Sequence, residues 1–216
     1  MDFSNITLEL VLKLLLLLLI GVGPKIALVP FLEKTKGLTP EQQRSVGRRM
    51  VKTAIVSAVV VFLTGALLQR LLHISSGALG VAGGSILAVL AMRMALGPGD
   101  SVASERKEPL DLESMAIYPL AVPFLFNPVG ITALMVISAS ADTIAASALV
   151  LVLLLLVGAL DYLIFTNIDK IAKRLKPASL VVSEIVFGVL LTAVAVELFV
   201  FGLRLLGVLE RTGAVH

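Results

Sequence analysis

The chain has 216 residues, of which 58% are hydrophobic, and its mean hydropathy is +1.03. Soluble domains are about 45–50% apolar, and here the apolar residues stand in long uninterrupted runs, so the composition excludes an ordinary soluble domain and predicts an integral membrane protein. The formal net charge of +3 is modest and falls largely in loops, so it does not indicate a nucleic-acid partner.

Cysteine is absent, which excludes a disulfide framework, thiolate chemistry and a cysteine-based metal site. The two histidines, His73 and His216, are too far apart in sequence to predict a metal site. We therefore expect neither a metal ion nor another cofactor.

Six apolar segments each come close to the ~20 residues that a helix needs to cross the hydrocarbon core. The first could be mistaken for a signal peptide, because Lys13 precedes its most apolar part. Asp2 and Glu9 make that leading region acidic, and no small-residue cleavage site follows, so a retained span is expected. The predicted spans are residues 8–32, 51–68, 77–96, 115–138, 143–166 and 183–206.

Basic residues concentrate in three of the predicted loops, and such residues collect on the cytoplasmic side of membrane proteins. The sequence therefore predicts a multi-pass cell-membrane protein with both termini on the non-cytoplasmic side. The predicted cytoplasmic residues are Lys34, Lys36, Arg44, Arg48, Arg49, Lys52, Arg93, Arg106, Lys107, Lys170, Lys173, Arg174 and Lys176. The other side carries only Arg70, Arg204 and Arg211.

Two loops have a recognisable local pattern. Residues 39–42 read Thr-Pro-Glu-Gln, a capping box with proline at the first helical position, so a helix is predicted to start at Pro40 and to run into the second span. The loop at 97–113 begins with Gly-Pro-Gly and continues with charges of both signs, which is typical of a linker. It divides the chain into a three-helix unit (1–97), a polar cytoplasmic linker (98–114) and a second three-helix unit (115–216).

The two halves match at a constant offset of 104 residues, which places Gly23-Pro24 on Asn127-Pro128 and Gly84 on Gly188. Each half has three spans, so the second half would enter the membrane from the opposite side. The predicted fold is an all-α polytopic membrane protein with six transmembrane helices arranged as two inverted three-helix repeats. This is the plan of many secondary transporters, which bind substrate between the repeats at broken helices.

Prolines interrupt span 1 at Gly23-Pro24 and span 4 at Asn127-Pro128, so helices 1 and 4 are predicted to break and restart. Irregular backbone within the membrane is tolerated only where it is buried in protein or lines a cavity. A restarting helix points free N–H groups and a partial positive charge at that cavity, which suits a carboxylate. Gly130 and Thr132 follow the second break and are predicted to line the same site. The alternative is a pair of proline kinks with a purely structural role.

Three charged residues lie inside the predicted spans, where charge is costly and therefore suggests function. Lys25 follows the first break and either faces the site or snorkels toward the headgroups. Asp161 in span 5 and Glu197 in span 6 are candidates to pair with Lys25, to carry protons or to bind a coupling cation, H⁺ or Na⁺. The alternative, a charge that faces headgroup water, suits Asp161 better than Glu197.

Span 3 is rich in small residues, for which close helix packing is expected over a substrate role. Ser138 in span 4 is expected to be a cap or interface residue. The sequence contains no P-loop, Rossmann glycine pattern, Ser-His-Asp set or HExxH motif, so we do not expect an enzyme. The small residues of span 3 are Gly77, Ala78, Gly80, Ala82, Gly83, Gly84 and Ser85.

Four segments carry a family pattern in order and spacing. They are residues 35–41 with Arg44, residues 74–87 leading to 91–94, residues 116–123 leading to Asn127-Pro128 and Ile131-Thr132, and residues 188–196 with Gly202. Together they extend over nearly the whole chain, and in them the sequence resembles the MarC family of six-span membrane proteins. The resemblance implies a transporter-like protein related to amino-acid exporters, and some relatives are described as carriers of small neutral amino acids such as glycine and alanine.

The chain also departs from that family's pattern. Members usually carry Asp-Pro-x-Gly-Asn at the first break, where this chain keeps only Pro24, with Gly23 and Ala27 in place of the acid and the asparagine. Members usually carry Gly-Pro-Gly at residues 127–129, and a neutral polar residue is commoner at Glu197. The chain is thus similar to a divergent member, whose substrate can differ.

We predict a secondary transporter of small solutes, with small neutral amino acids as the first expectation, that works by alternating access. Its partners would be the small-molecule substrate and the lipid bilayer; a homo-oligomer is left open. Two alternatives remain: a carrier of polyprenyl phosphate or another lipid-linked anion, with Lys25 on the phosphate, and a non-transporting membrane scaffold. The predicted substrate-binding residues are Gly23, Pro24, Lys25, Asn127, Pro128, Gly130 and Thr132.

Overall fold

The structure, a computed structural model, describes residues 7–96, 111–141, 143–168 and 177–209, and the regular elements in these ranges are helical. The helices are α1 (Leu8–Gly21), α2 (Pro24–Lys34), α3 (Pro40–Leu72), α4 (Ser76–Ala95), α5 (Leu112–Met115), α6 (Pro128–Ser140), α7 (Ile144–Thr166) and α8 (Pro177–Leu205). Between α5 and α6 lies a wide, irregular helical stretch, Ala116–Leu125, called the irregular segment below. Within it Tyr118 and Val122 have extended backbone angles.

Within these ranges, four helical stretches are long and apolar enough to cross a membrane, and a bent pair makes a fifth candidate. The first candidate, Leu8–Lys34, runs through its break as one span of 27 residues. The bent pair joins Leu112–Leu125 to Pro128–Ser140 at an angle of 66°. The remaining predicted span corresponds to a shorter apolar stretch, Ser76–Met92. The protein is therefore an integral, multi-pass, all-helical membrane protein, and its two breaks differ in how far they bend the chain.

Side-chain caps set the starts of several helices, as their residue types require. Thr39 and Gln42 form the predicted capping box: the Gln42 N–H donates to Thr39 Oγ1 at 3.3 Å, and the Thr39 N–H donates to Gln42 Oε1 at 2.9 Å. The predicted helix start at Pro40 is thereby confirmed.

The predicted linker at 98–114 is described only from Asp111, whose carboxylate caps α5, so its last residues are helical. The Gly-Pro-Gly at 97–99, the basic positions 106–107 and 170–176, and the terminal His216 lie outside the described residues.

The buried side chains form two clusters. The larger joins α1, α2, α3, the irregular segment, α6 and α7, and the smaller joins α2, α4, α6 and α8. Large apolar side chains also cover the outer faces, with Leu63 62% exposed on α3, Leu163 61% on α7 and Val189 59% on α8. A surface this apolar on several faces needs lipid around it.

Helices α4 and α8 pack closely and antiparallel along their small residues. A β-carbon added to Gly80 would lie 2.8 Å from the Gly202 Cα, and one added to Gly84 would lie 2.7 Å from the Phe199 nitrogen. Such distances leave room only for glycine, so the packing role expected for the small residues of span 3 is confirmed at these positions.

Candidate functional site

The two helix breaks meet each other in the protein interior. A β-carbon added to Gly21, the last residue of α1, would lie 2.3 Å from the Gly130 Cα, and one added to Gly130 would lie 2.3 Å from the Gly21 carbonyl oxygen. Both residues are buried. The sequence offset predicted that the two breaks correspond, and the structure places them in direct backbone contact.

Asn127 donates hydrogen bonds to two backbone carbonyl oxygens at the first break. Pro24 has no N–H, so the Ile20 carbonyl, four residues earlier, lacks its helical donor. The Asn127 Nδ2 donates to that carbonyl at 2.7 Å, and the Asn127 backbone N–H donates to the Gly21 carbonyl at 3.0 Å. Asn127 is 0% exposed, so its side chain connects the two breaks in a place that water does not reach.

The two restarting helices present different N-termini. At α6, the Asn127 Oδ1 accepts from the Val129 N–H at 2.9 Å and the Gly130 N–H at 3.2 Å, so this helix end is capped from within. At α2, the cap residue is Gly23, and no side chain caps the helix. The expectation that both ends at Pro24 and Pro128 offer free donors to a substrate therefore needs correction, because only the α2 end is left without a side-chain cap.

Lys25 lies beside this uncapped end and lines a cavity of about 170 Å³. The cavity lies between the first break and α8, and its wall includes Ile20, Ile26, Leu191 and Val194. A lysine in the first turn is repelled by the partial positive charge of the helix N-terminus, and this repulsion costs free energy unless an anion is near. The cavity is therefore a place where a carboxylate would be stabilised.

Thr132 and Glu197 line a second cavity of about 350 Å³, enclosed mainly by α6 and α8. Thr132 is 4% exposed, and its Oγ1 donates to the Leu79 carbonyl at 3.4 Å. Glu197 is an exposed residue and forms part of the wall of this space. Val194 lines both cavities, so the two are adjacent along α8 with this side chain between them.

Asp161 is 0% exposed, and neither of its carboxylate oxygens has a hydrogen-bond partner. It lies on the buried face of α7, which packs against α3 and α1, and it lines neither of the two cavities. The alternative of a charge facing headgroup water is therefore wrong for this residue. An ionised carboxylate in such surroundings is very costly unless something compensates it.

The expected charge pairs do not form in the part of the chain that the structure describes. There Glu9 pairs with Lys13 and Arg49 pairs with Glu113, and no ion pair involves Lys25, Asp161 or Glu197. Among the same residues, no group of three or more histidine and carboxylate side chains could hold a metal ion.

Sequence reasoning missed Gly21 and Val194. Gly21 could have been found from its position two residues before Gly23, since a break packed against another break needs small residues on both sides. Nothing distinguishes Val194 in the sequence from the other aliphatic residues of α8. Its importance comes from its position between two cavities.

The comparisons with known proteins agree with the membrane fold. The model of the MarC family of integral membrane proteins matches residues 8–206. A UPF0056 membrane protein of Pyrococcus abyssi is 26% identical over 198 residues, covering 90% of this chain and 96% of that protein. A UPF0056 membrane protein of Methanocaldococcus jannaschii is 28% identical over 186 residues, covering 85% and 90%. No solved structure matches the chain.

Proposed function

The chain belongs to the MarC family of integral membrane proteins, and we propose that it is a secondary transporter of small solutes, with small neutral amino acids as the expected substrates. The observation that carries the proposal is the pair of cavities on either side of Val194, beside two helix breaks in contact. In this proposal the protein lies in the cell membrane with both termini on the non-cytoplasmic side.

The substrate's carboxylate would bind at the uncapped end of α2, near Gly23 and Lys25, where a helix N-terminus and a lysine both favour an anion. Its ammonium group would bind in the cavity of Glu197 and Thr132. Because Val194 lines both cavities, they would hold the substrate in succession, with Lys25 near its carboxylate in the first cavity and Glu197 near its ammonium group in the second.

Alternating access is supported by reciprocal contacts that follow the offset of 104. Gly84 and Phe199 are in contact through the Phe199 nitrogen. The equivalent positions of the other half are Gly188 and Ala95, and a β-carbon added to Gly188 would lie 2.5 Å from the Ala95 nitrogen. Likewise α1 packs on α6, and the irregular segment packs on α2. Contacts that recur when the halves are exchanged are what an inverted pair of three-helix repeats would produce.

Asp161 is the candidate for coupling to a cation. Its oxygens are buried and unpartnered, so a proton or a Na⁺ ion there would compensate a group that has no other compensation. Because Asp161 lies outside both cavities, a coupling cation would act through helix packing and not through contact with the substrate.

The decisive experiment is uptake of labelled glycine and alanine into proteoliposomes. Val194→Phe should abolish uptake, because a larger side chain would fill the contact between the cavities. Val189→Phe on the same helix is the matched control, since Val189 is 59% exposed and lines neither cavity. Uptake at the wild-type rate in Val194→Phe would show that the path does not pass this residue.

A second measurement separates the alternative of a lipid-linked carrier. We expect glycine or alanine to raise the unfolding temperature of the purified protein and polyprenyl phosphate to leave it unchanged. The opposite result would favour the lipid-linked anion. No shift with either ligand and no uptake would favour the scaffold.

A further inference from the structure

Basic side chains collect at the end of α3 that precedes its apolar part. Arg48, Arg49 and Lys52 are exposed there, and with Glu113 they line a cavity of about 250 Å³. Arg49 is engaged by Glu113, with a distance of 2.7 Å between Arg49 Nη1 and Glu113 Oε1. Among the described residues, Arg48 and Lys52 have no carboxylate partner, so two positive charges face this cavity uncompensated.

Below these charges an apolar groove of about 430 Å³ runs between α3 and α7. Its walls include Ile55, Leu155 and Tyr162. Arg48 and Lys52 line one end of it. The two spaces therefore share Arg48 and Lys52 in their walls.

Gly158 lets α7 approach α3 closely, because a β-carbon added to it would lie 2.7 Å from the side chain of Ile55. The two helices are therefore in contact at this point, and a hydrocarbon chain would lie over this contact and not between the helices. Ala159, which also lines the groove, carries only a methyl group and leaves space for that chain.

We infer that this feature, the Arg48/Lys52 groove, binds one anionic phospholipid, with its phosphate at the two basic side chains and an acyl chain along α3 and α7. Two basic side chains that no described carboxylate pairs with suit a phosphate, and the apolar groove next to them suits the acyl chain of the same lipid. Basic pockets between membrane helices at the headgroup level are suited to anionic headgroups. A free phosphate ion would use the cations but leave the groove unfilled, which is why the lipid is the better fit. The site is independent of the proposed transport.

Tyr162 provides a reporter inside the groove. The chain has no tryptophan and two tyrosines, so Tyr118→Phe leaves Tyr162 as the single strong fluorophore. In vesicles of phosphatidylcholine, brominated phosphatidylglycerol should quench Tyr162 at much lower content than brominated phosphatidylcholine does. Equal quenching by the two lipids would overturn the inference.

The basic residues are tested by Arg48→Gln with Lys52→Gln in the same background. Each basic residue near an anionic headgroup is worth roughly a fivefold factor in affinity, so the preference for phosphatidylglycerol should fall roughly 25-fold. Lys34→Gln with Lys36→Gln is the matched control, since it removes the same charge from two exposed lysines outside both cavities and should keep the preference. An equal loss in the control would reduce the effect to net charge and overturn the site.

The groove itself is tested by Ala159→Phe, which should weaken quenching by brominated phosphatidylglycerol. Leu160→Phe is its control, because Leu160 is 42% exposed and lies outside the groove. Inorganic phosphate, added at millimolar concentration, should not displace the lipid. Full displacement by phosphate, with no effect of Ala159→Phe, would identify a site for a free anion and refute the lipid.

Discussion

Replacing Asn127 by alanine tests whether the contact between the two breaks holds the fold together. The substitution removes three hydrogen bonds in one step: two from the Val129 and Gly130 N–H groups to Oδ1, and one from Nδ2 to the Ile20 carbonyl. None of the three is replaced by water, because Asn127 is 0% exposed. The start of α6 and the end of α1 would lose their partners together.

The magnitude follows from these contacts. Loss of an asparagine cap costs about 1–2 kcal/mol. The Ile20 carbonyl has no helical donor to return to, and leaving such a buried acceptor unpaired costs about 1–2 kcal/mol more. The free energy of unfolding should therefore fall by about 2–4 kcal/mol. For a chain of this length that corresponds to a drop of roughly 10 °C in the unfolding temperature.

The assay is thermal unfolding of the purified protein in detergent, followed by circular dichroism, with uptake measured in parallel. Asn127→Ser is the informative comparison, because serine can cap α6 but cannot reach Ile20, so about half of the loss is expected. If both variants unfold at the wild-type temperature, the contact does not stabilise the fold. If Asn127→Ala and Pro128→Ala both transport normally, the substrate site does not lie at this break.

Three further predictions concern single positions. Gly130→Ala should destabilise the protein in the same unfolding assay by more than the few tenths of a kcal/mol that are typical of a surface substitution. The reason is that the β-carbon of the alanine would lie 2.3 Å from the Gly21 carbonyl oxygen. Wild-type stability would show that the breaks can separate freely. The pKa of Asp111 is lowered from 3.8, first by the hydrogen bond from the Ser114 hydroxyl and then by the Glu113 N–H, so its contribution to stability is present above that pH and is lost as the pH falls through the lowered pKa. Asp111→Asn should make acid unfolding less steep, and an unchanged pH profile would contradict this. Asp161→Asn should lower the unfolding free energy by no more than about 1 kcal/mol, because the Asp161 oxygens have no hydrogen-bond partners to lose. In the same variant, gradient-driven uptake should stop, and exchange of substrate across the membrane should persist. Gradient-driven uptake at the wild-type rate would remove Asp161 from the coupling role.

Local features were predictable from the sequence because they depend on neighbours in the chain. The capping box at Thr39 and the helix restart at Asn127-Pro128 need only the residue types at a few consecutive positions. The first break, at Gly23-Pro24, follows from the same chemistry, and its structure has Gly23 as the cap and Pro24 as the first helical residue. The membrane class follows from the apolar runs alone.

Features that depend on which groups meet were not predictable. The sequence predicted one span over residues 115–138 that breaks at Asn127-Pro128, and the structure adds extended backbone angles at Tyr118 and Val122. Each of these two residues precedes a proline, which favours such angles, but the irregular helical stretch as a whole depends on how the segment packs. Lys25 was grouped with Asp161 and Glu197 as charges that could pair, yet the fold directs Lys25 to one cavity, Glu197 to another and Asp161 to the buried face of α7. The distances between these groups depend on how the helices pack.

The sequence by itself determined that this protein lies in a membrane, that two of its spans are broken by proline, and where each broken helix restarts. These outcomes depend on hydrophobicity and on backbone donors that proline lacks, both of which are local. Only the tertiary structure decided that the two breaks touch, that Asn127 caps one helix while its amide reaches Ile20, and that the other helix end stays uncapped beside Lys25. The physical reason is that a buried carbonyl takes whatever donor the packed chain brings to it, and here that donor lies 107 positions away in sequence.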